Sequence, residues 1–273
     1  MGVPYGEIMT LLVTGATGNI GRRVVDQLIN LGCNDIRALT TNPAKAALPD
    51  GVAAVTGYLG RPETLPAALE GVRAMYLAPL PSTVDATLAL ARAAGVEYVV
   101  ALSGGAHWQP QAEAVAASGI AHTQIGAGEF LDNYAFWGEQ IRTTRTVREP
   151  YPDVVQAPVS MDDIARVAAV LLAEPDPSHR SRMYELTGPQ ALTRVQIAEQ
   201  IGVGIGVDVT FAVCGREQAE QALRPMMGDE VRWYYDMLAE HPPQSANTLV
   251  ADLTATPAQT VAQWAAANAD VFR

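Results

Sequence analysis

Three glycines at three-residue steps, in Val13-Thr14-Gly15-Ala16-Thr17-Gly18-Asn19-Ile20-Gly21, carry the clearest chemistry in the sequence. They follow a short apolar run and open an amphipathic one, the setting in which such a turn cradles phosphates. Gly15 permits the tight turn, Gly18 lets backbone approach a diphosphate, and Gly21 lets a helix pack closely on the preceding strand. The helix start supplies unpaired N–H groups and partial positive charge. Gly15, Thr17, Gly18, Asn19, Ile20 and Gly21 are therefore read as dinucleotide-binding residues. A glycine-rich turn with no ligand is the alternative, and three glycines at this spacing argue against it.

The end of the second strand reads Arg37-Ala38-Leu39-Thr40-Thr41-Asn42-Pro43-Ala44-Lys45. A carboxylate there would bind the ribose 2′-OH of NAD, and this segment has none. Arg37 and Lys45 are expected around a 2′-phosphate, which points to NADP, with NAD as the alternative, and Thr41 is expected among the cofactor-binding residues. Ordinary surface charge is the competing reading of Arg37 and Lys45. Leu59, Ala78, Pro79 and Ser103, at the ends of the third, fourth and fifth strands, complete the expected cofactor set.

The elements that position this turn follow from periodicity. Apolar runs at Thr10–Val13, Ile36–Leu39, Ala53–Thr56, Ala74–Leu77, Tyr98–Leu102 and Ala121–Ile125 read as strands. Between them lie helical stretches; in the first, Ile20, Val24, Leu28 and Leu31 share one face. Strand–helix–strand repetition predicts an α/β fold, a doubly wound parallel sheet of Rossmann type with its ligand crevice at the strand C-termini. After about residue 126 helices dominate: Met161–Ala173, Thr193–Ile201, Glu217–Leu223, Glu230–Leu238 and Pro257–Ala267. The expected division is a dinucleotide-binding domain over 9–155 and a smaller, mostly helical substrate lobe over 156–273, with parts of the late chain free to return to the sheet. Residues 1–8, before Met9, read as a dispensable extension or as an artefact of start assignment.

Composition narrows the function. The chain has 273 residues, 49% hydrophobic and 17% charged, enough for a sizeable core and too apolar for extended disorder. Its net charge of −11 disfavours nucleic acid as a partner. Two cysteines and four scattered histidines give no disulfide framework and no metal site. No apolar run is long enough to span a bilayer, and no signal peptide is evident, so the expectation is a cytoplasmic protein with a small-molecule substrate; a homodimer is compatible with it. Among the 18 basic residues Lys45 is the only lysine, which excludes any mechanism needing a lysine elsewhere.

Thr14–Gly21, then Thr41-Asn42-Pro43, Ser118-Gly119-Ile120-Ala121-His122-Thr123, Asp162-Asp163-Ile164-Ala165, Tyr184-Glu185-Leu186-Thr187-Gly188 and Thr256-Pro257-Ala258-Gln259-Thr260…Trp264 resemble the NmrA-like branch of the atypical short-chain dehydrogenase/reductases. The resemblance runs from Met9 through nearly the whole chain. It implies a Rossmann domain, a small substrate lobe, usually NADP, and an activity among quinone and isoflavone reductases, cofactor-sensing regulators or tailoring enzymes of secondary metabolism. The family's Tyr–Lys pair has no counterpart here. The lysine many relatives carry four residues before the position of Glu113 is replaced by Gln109. Gly57-Tyr58-Leu59-Gly60 stands where Gly-Asp is frequent, and Gly126-Ala127 where Arg-Pro is frequent.

Hydride chemistry belongs to the cofactor, and the protein must supply a proton. His107, Glu129 and Tyr134 are the candidates: His107 as a loop imidazole, Glu129 as a carboxylate among Phe130, Tyr134 and Trp137 whose pKa burial could raise, Tyr134 as a phenol. Their alternatives are an exposed loop histidine, a solvated loop charge and a packing ring. Asp132-Asn133 is expected to cap a helix. Trp108, Phe130, Tyr134 and Trp233 are expected to line a pocket for a flat substrate, or else to pack in a seam. The leading reading is an NADP-dependent oxidoreductase of a small aromatic, quinone-like or polyketide-like metabolite. The alternatives are a non-redox cyclase, lyase or isomerase on the same scaffold and an NADP-sensing regulatory protein.

Overall fold

The computed structural model describes residues 9–104, 108–240 and 242–273. In chain order the elements are β1 (Leu11–Val13), α1 (Asn19–Asn30), β2 (Ile36–Thr40), β3 (Ala53–Thr56), α2 (Pro66–Leu69), β4 (Ala74–Leu77), α3 (Val84–Ala93), β5 (Tyr98–Leu102), α4 (Gln109–Ala117) and β6 (Ala121–Ala127). There follow α5 (Gly138–Thr144), β7 (Thr146–Glu149), β8 (Val155–Gln156), α6 (Met161–Ala173), β9 (Arg182–Leu186), β10 (Leu192–Thr193), α7 (Arg194–Ile205) and β11 (Thr210–Val213). The chain closes with α8 (Arg216–Met227), α9 (Glu230–Glu240), α10 (Leu249–Thr254) and α11 (Val261–Ala267).

The chain divides into two compact units, and the division differs from the expected two-segment split. The first unit takes the described residues up to Ala127, then Met161–Leu186 and Leu253–Ala255; the second takes Gly128–Ser160, Thr187–Asp252 and Thr256–Arg273. Thus 128–155 leaves the sheet domain, while α6 and β9 belong to it.

In the first unit seven parallel strands run in the order β3-β2-β1-β4-β5-β6-β9. The order reverses direction at β1, which places a topological switch point between β1 and β4. β1, β4 and β5 are buried along their whole length, as a sheet covered on both faces requires. α1 buries Val24, Val25 and Leu28 and packs on α6, which also lies against β4, β5 and β6. A core of Leu12, Leu39, Leu69, Met75, Leu88, Val99 and Val115 gathers between the sheet and α2, α3 and α4. Each such side chain contributes ~1.5–3 kcal/mol on burial.

The second unit has two short sheets, β8 antiparallel to β10 and β7 parallel to β11. Its main core joins Leu131, Tyr134, Trp137, Ile197, Ile201 and Trp264, and a smaller one joins Leu223, Val231, Tyr235 and Leu238. Helices α7 and α11 pack together, and both open with a capping box, Thr193 with Gln196 and Thr260 with Gln263.

Candidate active site

The glycine-rich turn joins β1 to α1 at the switch point. Gly15 adopts φ +61°, where a side chain is disfavoured. A Cβ on Gly21 would overlap the Gly15 carbonyl, and one on Gly18 would lie 3.2 Å from the same oxygen. Gly18 occupies the cap position of α1 with no side-chain hydrogen bond, and the first turn holds no acid. Thr17, Gly18 and Asn19 are exposed. Gly18 N donates to Gly15 O at 2.8 Å, and the helix start beyond it, with no side-chain cap, no carboxylate and exposed backbone, fits a diphosphate.

Neighbouring strand ends are tied to this turn by residues the sequence reading did not single out. The Thr14 hydroxyl donates to Tyr76 O at 2.9 Å and accepts from Ala78 N at 2.8 Å, joining the ends of β1 and β4. Gln111, fully buried, accepts from Leu80 N at 2.7 Å and donates to Leu102 O at 2.9 Å. Arg22 donates to Ala47 O at 2.7 Å, which holds the turn carrying Lys45 to α1. A buried polar side chain next to a predicted strand end was the only available signal for Thr14, and its partners lie far away in sequence.

Three expected cofactor residues have other employment. Arg37 sits in the N-terminal half of β2, and its guanidinium donates to Glu70 O at 2.5 Å and Ala68 O at 3.5 Å, closing α2. Ser103 is wholly buried and donates to Gln124 at 2.6 Å. The Leu59 side chain belongs to the core, while its carbonyl accepts from Thr83 at 2.8 Å. Thr41 and Lys45 are exposed just past β2, and Ala78 and Pro79 are half-buried just past β4.

In the second unit Glu129 is half-buried at the start of the excursion from the sheet domain, and its backbone is pinned by Val159 N at 2.9 Å. Its carboxylate accepts from Asn133 Nδ2 at 2.7 Å and from Gln156 Nε2 at 3.2 Å. Gln156 in turn accepts the Tyr134 hydroxyl at 2.7 Å. Asn133 therefore steadies Glu129 and caps no helix. Tyr134 is 3% exposed, gives its proton to Gln156 and packs edge-on against Trp137 at 4.8 Å. Burial, with help from Glu129, holds its phenol well above the ordinary value. Tyr134 thus leaves the set of proton donors and of pocket walls. His107 lies outside the described residues. Trp108 caps α4 in the first unit, Phe130 is half-buried beside Val159, and Trp233 stands 50% exposed on α9.

Deeper in the second unit Glu149 and Arg194, both essentially unexposed, pair at 2.8 Å. Tyr235 donates to the same Glu149 oxygen at 2.8 Å, Arg194 reaches Tyr234 at 3.2 Å, and the guanidinium lies 5.2 Å from the Trp137 ring centre. Burial pushes the Glu149 carboxyl up, and Arg194, Tyr235 and Trp137 pull it only partway back. Tyr234, Tyr235 and Trp137 are core residues here. Among the described residues no group of three His, Cys, Asp or Glu side chains could hold a metal, and no helix is long and apolar enough to cross a membrane.

A parallel sheet of this order with a bare glycine turn at its switch point defines a Rossmann-type nicotinamide dinucleotide-binding protein. A family model described as NAD(P)H-binding matches residues 15–175. The chain belongs to that family. It is 32% identical to a (4-alkanoyl-5-oxo-2,5-dihydrofuran-3-yl)methyl phosphate reductase of Streptomyces griseus, over 96% of this chain and 99% of that one. It is 31% identical to an NAD(P)H azoreductase of Xenophilus azovorans, again over 96% and 99%. The crystal structure of an NADPH-dependent quinone oxidoreductase of Escherichia coli superposes with a TM-score of 0.82 at 25% identity, over 95% of this chain and 99% of that one.

Proposed function

We propose that this protein is an NADPH-dependent reductase of a small conjugated acceptor, such as a quinone-like, aromatic or polyketide-like metabolite. The observation that carries the reading is the uncapped, acid-free start of α1 with Gly21 seated under the Gly15 carbonyl. The reductase names of the two curated relatives and of the quinone oxidoreductase support the reaction class. When bound, the nicotinamide supplies hydride. The N–H groups of residues 19–21 would hold the diphosphate, with Thr41 and Lys45 on the adenosine side and Ala78 and Pro79 walling the switch point.

The residue inventory supports a conjugated acceptor as substrate. The chain's only lysine is Lys45, exposed after β2, and Tyr134 and Ser103 both spend their hydroxyl protons on buried amides. None of these groups serves as a proton donor to a strongly basic alkoxide. A conjugated acceptor avoids that need, because its reduced form is a delocalised anion that takes a proton from water. Glu129, accepting at both oxygens, is arranged as a carboxylate that orients the substrate or the water delivering that proton.

Titration with NADPH and NADH, followed by nicotinamide fluorescence, is expected to show tight binding with NADPH preferred. Quinones, azo compounds and conjugated lactones should then drive NADPH oxidation. Binding with no turnover across that panel would replace the reading with a cofactor-sensing role, and no binding would leave only a non-redox enzyme. Glu129→Gln is expected to keep NADPH affinity and to lower kcat by roughly 100-fold. An unchanged rate and pH profile would remove Glu129 from the chemistry.

A further inference from the structure

The anion that reduction of a conjugated acceptor creates needs a hydrogen-bond donor at its oxygen, and in the second unit the segment between α9 and α10 supplies one. Gln244, half-buried, donates its backbone N–H to Val155 O on β8 at 3.1 Å, and its Oε1 accepts from Ala157 N, one residue past that strand, at 3.0 Å. Ala157 is held in turn, its carbonyl accepting from Gly188 N at 2.9 Å. Three residues beyond Gln244, Asn247 N donates to Thr187 Oγ1 at 2.9 Å. Main chain and side chain of Gln244 are thus fixed together, and the task of the amide oxygen decides which edge of the amide carries the –NH2 group.

That –NH2 group is unspent: among the described residues Gln244 Nε2 meets no protein acceptor. The amide lies against Gly128, where a Cβ would stand 3.1 Å from Nε2 and 3.6 Å from both Cδ and Oε1. Gly128 directly precedes Glu129. The strand that anchors Gln244 through Val155 also carries Gln156, whose own amide holds the Glu129 carboxylate at 3.2 Å. β8 therefore supports two complementary groups at the start of the excursion, a carboxylate that accepts amide N–H groups at both oxygens and an amide whose N–H groups are left to donate.

Resting on the reductase reading above, we propose that Gln244 is a catalytic residue whose Nε2–H group binds the carbonyl oxygen of the acceptor and stabilises the negative charge that develops there. The acceptor gains the hydride given up by NADPH, its π electron pair moves onto that oxygen as the cofactor becomes NADP+, and water supplies the proton that completes the reduced product. Gln244 donates a hydrogen bond and keeps its protons, so the chemistry needs neither a lysine nor a free phenol. Gly128 leaves room for the amide, and the anchors on Val155 and Ala157 set the donor in place before charge appears, which is when such a donor is most effective.

The test compares the unaltered protein with Gln244→Glu, Gln244→Leu and Gly128→Ala in thermal melting, NADPH binding, quinone reduction and equilibrium binding of 4-nitrophenolate, with the uncharged 4-nitroanisole as control. The phenolate imitates the delocalised oxygen anion and reports on the donor without turnover. Gln244→Glu keeps the oxygen that Ala157 N requires and removes only the donor. It is expected to retain melting and to hold NADPH affinity within about twofold, while kcat falls roughly 100-fold and 4-nitrophenolate binds about tenfold more weakly. Affinity for 4-nitroanisole is expected to stay unchanged. Gln244→Leu is expected to lower kcat by a comparable factor, and Gly128→Ala, which pushes the amide aside, by roughly tenfold. A Gln244→Glu protein that reduces the quinone and binds the phenolate like the unaltered protein would overturn the proposal, as would equal affinity of the unaltered protein for phenolate and ether. Failure of the unaltered protein to bind NADPH or to reduce any acceptor would instead overturn the reductase reading itself.

Discussion

Gly21→Ala is expected to lower NADPH affinity by about 100-fold or more, equivalent to roughly 2.7 kcal/mol. The added methyl would meet the Gly15 carbonyl carbon and oxygen and the Ala16 nitrogen, which are backbone atoms unable to swing aside. Either α1 lifts from β1 or the Gly15 peptide turns, and both displace the N–H groups proposed to hold the diphosphate. Overpacking of this kind also costs ~1–3 kcal/mol of stability. Gly18→Ala has a milder conflict, 3.2 Å from the same oxygen, and is expected to fall between Gly21→Ala and the parent. Gly215→Ala is the control: nothing lies near its Cβ position and its φ is −68°. Fluorescence titration and thermal melting of the three variants check the order. Equal NADPH affinity in Gly21→Ala and the parent would separate the turn from cofactor binding.

Glu149→Ala is expected to destabilise the fold by ~3–5 kcal/mol. Arg194 is 0% exposed and would lose its carboxylate partner at 2.8 Å while remaining charged. For a chain of this size the loss corresponds to a fall in Tm of roughly 10 °C. Tyr235 would also lose the acceptor it meets at 2.8 Å, so the damage extends into the packing of α9. Replacing the pair together, as Glu149→Leu with Arg194→Met, is expected to recover most of the loss, because two desolvated charges and their cost disappear at once. Melting curves for both single replacements and the double one form a cycle whose coupling energy measures the pair. Near-additive losses would mean that Arg194 finds water or another partner.

The sheet was legible because its signals are local. Short apolar runs alternating with amphipathic stretches mark β1 through β6, and the glycine spacing marks the turn at the switch point. The side chains that failed expectation did so through partners far along the chain. Arg37 looked available for a phosphate until α2, over thirty residues later, presented unpaired carbonyls. Ser103 stands at the end of the fifth strand, where the crevice is expected, but the buried amide of Gln124 claims its hydroxyl. Tyr134 and Asn133 were read as donor and cap; both instead belong to a network closed by Gln156, which no local pattern marks. β9 falls with the smaller lobe in the expected division because it lies beyond residue 126, where helices dominate the pattern, and its pairing with β6 joins distant segments. The Glu149–Arg194 pair was invisible for the same reason: two ordinary charges become one buried contact only when β7 and α7 meet.

The late return of β9 sets a schedule for biosynthesis. When the ribosome has released β6, the outer hydrogen-bonding edge of that strand has no neighbour, since its partner is encoded after an entire excursion through the other unit. At ~5–20 residues per second the wait lasts several seconds, long enough for a nascent chain to pair with something else. Truncated transcripts ending in the excursion should accordingly yield insoluble product, and a split-gene version cut there would need its two halves translated side by side.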